Sequence, residues 1–227
     1  MSSKALFITV LAVAFVPSVV QAVPPPVFSF SGLFPGDDSI ELFAIDVISP
    51  GSSLTIQTYG FGGGTNGNDS VVPSGGFAPD LFLFDPSGNV ETPANTTACP
   101  PANTSGGNCF DAGISIADLA AGIWKLALTV DSNAPIGTTL AEGFTHVPGS
   151  GNYTCDAFGG PPGSAFCDPV PEQRNGQWAL DITGSDVSSV TDITSATPEP
   201  RPFSLLFIGL AVLALFRRNR IFCTKGN

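Results

Sequence analysis

Asp80-Leu81-Phe82-Leu83-Phe84-Asp85-Pro86-Ser87-Gly88-Asn89 is a short apolar run closed by a turn. An apolar stretch of about 4–8 residues bounded by turn chemistry is a strand signal. Pro86 presets φ for the turn, and Gly88 can take the positive φ that completes it. Outward from this point the same pattern recurs. In residues 123–130, Trp124, Leu126, Leu128 and Val130 share one face and Ile123 and Ala127 the other. In residues 40–47, Ile40, Leu42 and Ala44 fall on one face and Phe43, Ile45 and Val47 on the other. Residues 27–31, 54–59 and 177–182 also alternate, as half-buried strands do. Residues 32–38, 49–52 and 131–143 read as turns or loops. Residues 60–76, full of Gly, Asn and Ser, predict a loop without a packed element. A polar loop is expected over 92–108, a weak strand within 144–153, and a Ser/Thr-rich linker over 187–197. No long amphipathic helix is predicted between the two ends of the chain. The expected fold is all-β, an antiparallel β-sandwich of jelly-roll type, spanning residues 23–186.

The two ends carry different signals. Lys4, the apolar run 5–16 and the small-residue site Val20-Gln21-Ala22 form a secretory signal peptide over residues 1–22. At the other end, Pro198-Glu199-Pro200 precedes an apolar run over 203–216 whose only polar side chain is Ser204, followed by Arg217, Arg218 and Arg220. A helix that is apolar on every face is suited to lipid or a protein interior. This run is shorter than the ~20 residues that cross a bilayer comfortably. Snorkelling of Arg217 and Arg218 extends its reach. Those arginines favour a cytoplasmic location for that end, which places residues 23–197 outside. Residues 221–227 form a short further tail.

The order tripeptide, apolar helix, basic cluster resembles the PEP-CTERM sorting signal of Gram-negative bacteria over residues 198–220. The resemblance implies recognition by an exosortase-type membrane protease, cleavage near the tripeptide and delivery to the cell surface or to extracellular polymer. The strands at 40–47, 79–88 and 119–128 also resemble the bacterial pre-peptidase C-terminal domain, a small extracellular β-sandwich. The body as a whole resembles an uncharacterised class of PEP-CTERM cargo through Gly75-Gly76-Phe77 and Trp178-Ala179-Leu180-Asp181. These resemblances carry no catalytic residues with them.

The chain has a formal net charge of −11, and between residues 23 and 197 its only Lys and Arg are Lys125 and Arg174. Nucleic acid is a poor partner for such a surface, because affinity there comes from cations on phosphates. Four of the five cysteines, Cys99, Cys109, Cys155 and Cys167, lie in the body, and an even number in an exported chain suggests disulfides. Local pairing, Cys99–Cys109 with Cys155–Cys167, is the expectation among three possible connectivities. Cys223 is expected to be free. His146 is the only histidine, with Asp80 and Asp118 as conceivable orienting groups, but no G-x-S-x-G elbow supplies a nucleophile. Carboxylates are abundant, yet no spacing singles out a glycosidase pair. Oxygen-rich turns suggest calcium: Asp37 and Asp38, then Asn66, Asn68 and Asp69, and again Asp131-Ser132-Asn133. The alternative for these residues is plain turn stabilisation. The sequence thus predicts an exported, non-catalytic surface or matrix protein associated with exopolysaccharide. A calcium-dependent carbohydrate-binding module is the alternative.

Overall fold

The computed structural model describes residues 25–95, 110–170 and 172–194. The signal peptide, Cys99, Cys109, the 203–216 run, and sorting-motif residues Pro198, Glu199, Pro200, Arg217, Arg218 and Arg220 lie outside the described residues. Among the described residues, no helix is long and apolar enough to cross a membrane.

The fold is all-β and antiparallel. In chain order the strands are β1 (Val27–Leu33), β2 (Ile40–Val47), β3 (Ser52–Thr58), β4 (Gly64–Thr65), β5 (Val71–Val72) and β6 (Pro79–Phe84). They continue as β7 (Val90–Asn95), β8 (Gly113–Leu119), β9 (Gly122–Val130), β10 (Gln177–Gly184) and β11 (Val187–Asp192). One sheet has the order β1-β10-β3-β8, the other β11-β2-β9-β6-β7, and β4 pairs only with β5. Among the described residues, helix is confined to a 3-10 turn at Leu140–Glu142 and the five-residue α1 (Thr154–Phe158).

The alternation read from sequence is the alternation of the sheets. Phe43, Ile45 and Val47 of β2, Leu81 and Leu83 of β6, and Trp124, Leu126, Leu128 and Val130 of β9 all enter one core. Leu54 and Ile56 of β3 and Trp178, Leu180 and Ile182 of β10 meet them from the other sheet. Each such side chain removed from water contributes roughly 1.5–3 kcal/mol. The opposite face of β6 is also covered. Phe82 and Phe84 pack with Ala127 and Phe144 in a second cluster, joined at its edge by Ile40, Leu42, Ala134 and Leu140. Residues 131–153 cross the outer face of the five-stranded sheet and roof this cluster. That double burial explains why β6 is a continuous apolar run rather than an alternating one. Its closing turn forms as the sequence predicts: Gly88 has φ +89°, and the Asp85 carboxylate accepts the Asn89 N–H at 2.8 Å.

Four stretches differ from expectation. β7 runs on to Asn95, into the polar loop expected over 92–108, because those residues pair with β6. Residues 60–76 carry the β4–β5 hairpin instead of an unstructured loop. Residues 144–153 hold no strand; Phe144 only bridges Pro135. Residues 187–192, expected as linker, form the edge strand β11 on β2, so the folded unit runs past residue 186. A bulge between Val187 and Ser189 breaks the two-residue period. Val187 and Val190 therefore both reach the core although three positions apart. Just beyond β11, the Ile193 N–H bonds the Leu42 carbonyl at 2.8 Å, and the Leu42 N–H returns a bond to Thr194 Oγ1.

Candidate functional site

Of the residues singled out for calcium, Asp37, Asp38 and Asn66 hold backbone N–H groups. Asp37 is fully buried. Its Oδ2 accepts the Tyr153 N–H at 3.0 Å, the Thr154 N–H at 2.7 Å and the Thr154 hydroxyl at 2.6 Å. Its Oδ1 accepts the Phe166 N–H at 2.8 Å. Asp38 Oδ2 accepts the N–H groups of Gly149 and Gly151, each at 2.8 Å. A carboxylate whose lone pairs face N–H donors presents them to no cation. Asn66 Oδ1 is likewise occupied, by the N–H groups of Asn68 at 3.2 Å and Ser70 at 2.9 Å. Asp69 takes φ 58° in the same turn, which heads the β4–β5 hairpin. The two sets lie in separate hydrogen-bond systems. At the third turn, Asn133 exchanges bonds with the His146 backbone, 2.9 Å through its Nδ2 and 2.8 Å through its Oδ1. Among the described residues, no group of three or more His, Cys, Asp or Glu is placed to hold a metal. The contacts of Asp37, Asp38 and Asn66 are those of turn and loop stabilisation.

Asp37 organises a lobe built on the second cysteine pair. Cys155 and Cys167 are joined in a disulfide, 12 residues apart. The Cys167 N–H donates to Thr154 Oγ1 at 3.0 Å, so the hydroxyl held by Asp37 also holds the far side of the loop. Arg174 Nε pairs with Asp168 at 2.8 Å, and the guanidinium lies 4.2 Å from the centre of the Phe61 ring. Closing a loop of this length stabilises the fold by about 2–3 kcal/mol. Replacing both cysteines by alanine is expected to lower stability by that amount in urea unfolding while the sheets persist in far-UV circular dichroism. An unchanged midpoint would mean that the carboxylate anchors alone hold the lobe.

A group of buried polar side chains lies beside this lobe. Asp80 and Thr129 are register partners on β6 and β9, and both are buried. Asp80 Oδ2 accepts the Ser132 N–H at 3.1 Å. Asp80 Oδ1 and Thr129 Oγ1 have no hydrogen-bond partner among the described residues. Burial pushes the Asp80 carboxyl up to about 7, the charge of Asp131 adds to the rise, and the Ser132 N–H opposes it. Burial raises Asp131 as well. The Tyr153 hydroxyl donates to the carbonyls of Val130 and Asp131 at 3.2 and 3.0 Å, and its ring stacks on His146 with centroids 3.7 Å apart. His146 is thus a packed ring; among the described residues neither Asp80 nor Asp118 hydrogen-bonds its imidazole.

The site that sequence reading missed lies on the outer face of the four-stranded sheet. Glycine allows the β4–β5 hairpin to lie close on β10. A Cβ on Gly60 would fall 3.0 Å from the Gln177 carbonyl, and one on Gly67 would overlap Val27. The hairpin tip is pinned where the Gly67 N–H donates to Asp181 Oδ2 at 2.7 Å, while Asp181 Oδ1 takes the Ser29 hydroxyl. Its base is pinned where Gly76 bridges Asn175 and bonds the Gly60 carbonyl at 2.8 Å. Between the hairpin and the edge strand β1 lies a groove of about 280 Å³. Ser31, Gln177, Ser70 and Asn66 supply its polar groups, and Val71, Val72 and Pro73 form one wall. Val71 is 81% exposed. No ionisable side chain lines the groove. Its signal in the sequence was faint: single polar residues at outward positions of two strands, and an Asn-Gly-Asn-Asp turn that read as a metal loop. No protein-family model matches the chain, and no curated protein matches it.

Proposed function

We propose that this chain is an exported, non-catalytic protein delivered by a C-terminal PEP-CTERM signal to the cell surface or an exopolysaccharide matrix. The observation that carries the reading is the order of the tail: Pro198-Glu199-Pro200, the apolar run 203–216, then Arg217, Arg218 and Arg220. In this reading the apolar run anchors the precursor in the inner membrane until an exosortase-type protease acts. The Cys155–Cys167 disulfide supports an oxidising destination. The strand order supports a jelly-roll body. With the two-residue strands and β11 set aside, eight strands counted in chain order run 1-8-3-6 in one sheet and 2-7-4-5 in the other. Jelly rolls include lectin domains, an analogy of fold alone. Intact mass of the protein from the envelope and medium of its host tests the sorting step. A C-terminus between Pro198 and Pro202 is the expected result; a mass retaining residues through Asn227 would reduce the tail to a permanent anchor.

A second reading is favoured by the groove beside β1. Its uncharged hydroxyl and amide lining suits recognition of polysaccharide by the body itself. This version does not call on calcium: both Asp37 oxygens, Asp38 Oδ2 and Asn66 Oδ1 accept N–H donors.

A further inference from the structure

We propose that the groove between the β4–β5 hairpin and β1 binds a neutral sugar unit of a polysaccharide chain. The inference rests on the polysaccharide reading above and adds the site and the ligand's charge. Four observations converge on it.

The first is unspent hydrogen-bonding capacity. The side chains of Ser31, Ser70 and Gln177 line the groove and make no hydrogen bond among the described residues. Asn66 uses its oxygen within the hairpin turn and keeps its amide N–H groups. Hydroxyls and amides donate and accept, as sugar hydroxyls do. The second is charge. The lining carries none; of the carboxylates beside it, Asp181 spends its oxygens on Gly67 and Ser29, and Asp69 adjoins Ser70 in the exposed hairpin turn. An acidic chain with formal charge −11 disfavours uronate or sulfated sugars. The third is shape. Val71, Val72 and Pro73 line the groove together with the polar Ser31, Asn66, Ser70 and Gln177, so apolar and polar surface meet in it. A pyranose ring has the same division between its C–H faces and its hydroxyl rim. The fourth is rigidity. Both ends of the hairpin are pinned to the sheet, so the groove exists before ligand arrives and little ordering cost attends binding.

The lining holds no exposed aromatic platform. Trp178 reaches the groove but packs its ring against Phe34 and Phe43 within the core. Affinity for one sugar unit is therefore modest, and retention on a polymer comes from repeated rebinding along the chain.

The test is affinity electrophoresis of the full chain in gels containing a neutral β-glucan, a neutral galactomannan or anionic alginate. Ser31→Trp and Ser70→Trp fill the groove from opposite sides at exposed positions, and thermal melts verify that each variant folds. Retardation by a neutral polymer, none by alginate, and at least a tenfold weakening in both variants is the expected result. Wild-type retardation in both variants would overturn the groove while leaving polysaccharide association standing. Retardation by alginate alone would overturn the charge argument. No retardation by any polymer would remove both this site and the reading it rests on.

Discussion

Asp37→Ala destabilises the intact protein by about 4 kcal/mol or more. The carboxylate accepts three backbone N–H groups and one hydroxyl inside the protein. Truncation leaves all four donors without an acceptor, and each orphaned buried group costs roughly 1–3 kcal/mol. Water entering the cavity offsets part of that sum. The change is then about 10–15 °C in Tm for a domain of this size. Asp38→Ala removes an acceptor for two N–H groups and should cost about half as much. Asp37→Asn does not rescue, because one carboxylate oxygen becomes an NH2 aimed at donors. Urea unfolding of the three variants checks the order. A loss below about 1 kcal/mol for Asp37→Ala would show that the Cys155–Cys167 lobe is held by its disulfide and not by this side chain.

The second large effect is on pH dependence. Burial raises Asp80 to about 7 and Asp111 to about 6, the latter against hydrogen bonds from Gly62, Phe61 and Thr58. Glu41 rises to about 7, chiefly through burial and then through Asp192; it is half-exposed, so solvent screening limits its weight. These folded-state values lie above those of the unfolded chain. The folded protein therefore binds more protons between about pH 4 and pH 7, and stability falls as pH rises through that window. At pH 8 the buried Asp80 charge alone costs on the order of 4 kcal/mol. Asp80→Asn keeps an oxygen for the Ser132 N–H and removes both the buried charge and its repulsion with Asp131. The wild-type Tm is expected to be several degrees higher at pH 5 than at pH 8. Asp80→Asn should raise the pH 8 value and flatten the profile. A wild-type Tm that rises from pH 5 to pH 8, or an Asp80→Asn protein weaker than wild type at pH 8, would contradict the assignment.

The strands were legible wherever side chains obey a period of two. β2 and β9 matched the predicted faces residue by residue because one side of each meets the common core. Legibility failed where another principle ruled. β11 was hidden by its bulge, which puts Val187 and Val190 on one side at a spacing of three. The β4–β5 hairpin was hidden because it is held by backbone groups and the Asp181 carboxylate, with no apolar pattern of its own. The roof over β6 was hidden because Phe144, Ala134 and Leu140 are dispersed through loop sequence. At the candidate sites, composition drew the eye to Asp37, Asp38 and Asn66 correctly as special positions. What it could not convey was the partner. An oxygen that will meet a cation and one that will meet a distant N–H are the same letter, and only the fold brings Tyr153 or Gly149 to it.

The clasp between Leu42 and the segment after β11 bears on mechanics. The two outermost strands of the chain belong to different sheets: β1 edges one and β11 edges the other. Tension applied between the chain's ends therefore never runs along a single ladder. It enters at the Leu42–Ile193 and Leu42–Thr194 bonds and at the β1–β10 ladder, and the two sheets share it through the turn at Ser185-Asp186 and the packed side chains between them. A steady pull on the domain loads the edge ladders of both sheets together with the hydrophobic interior between them.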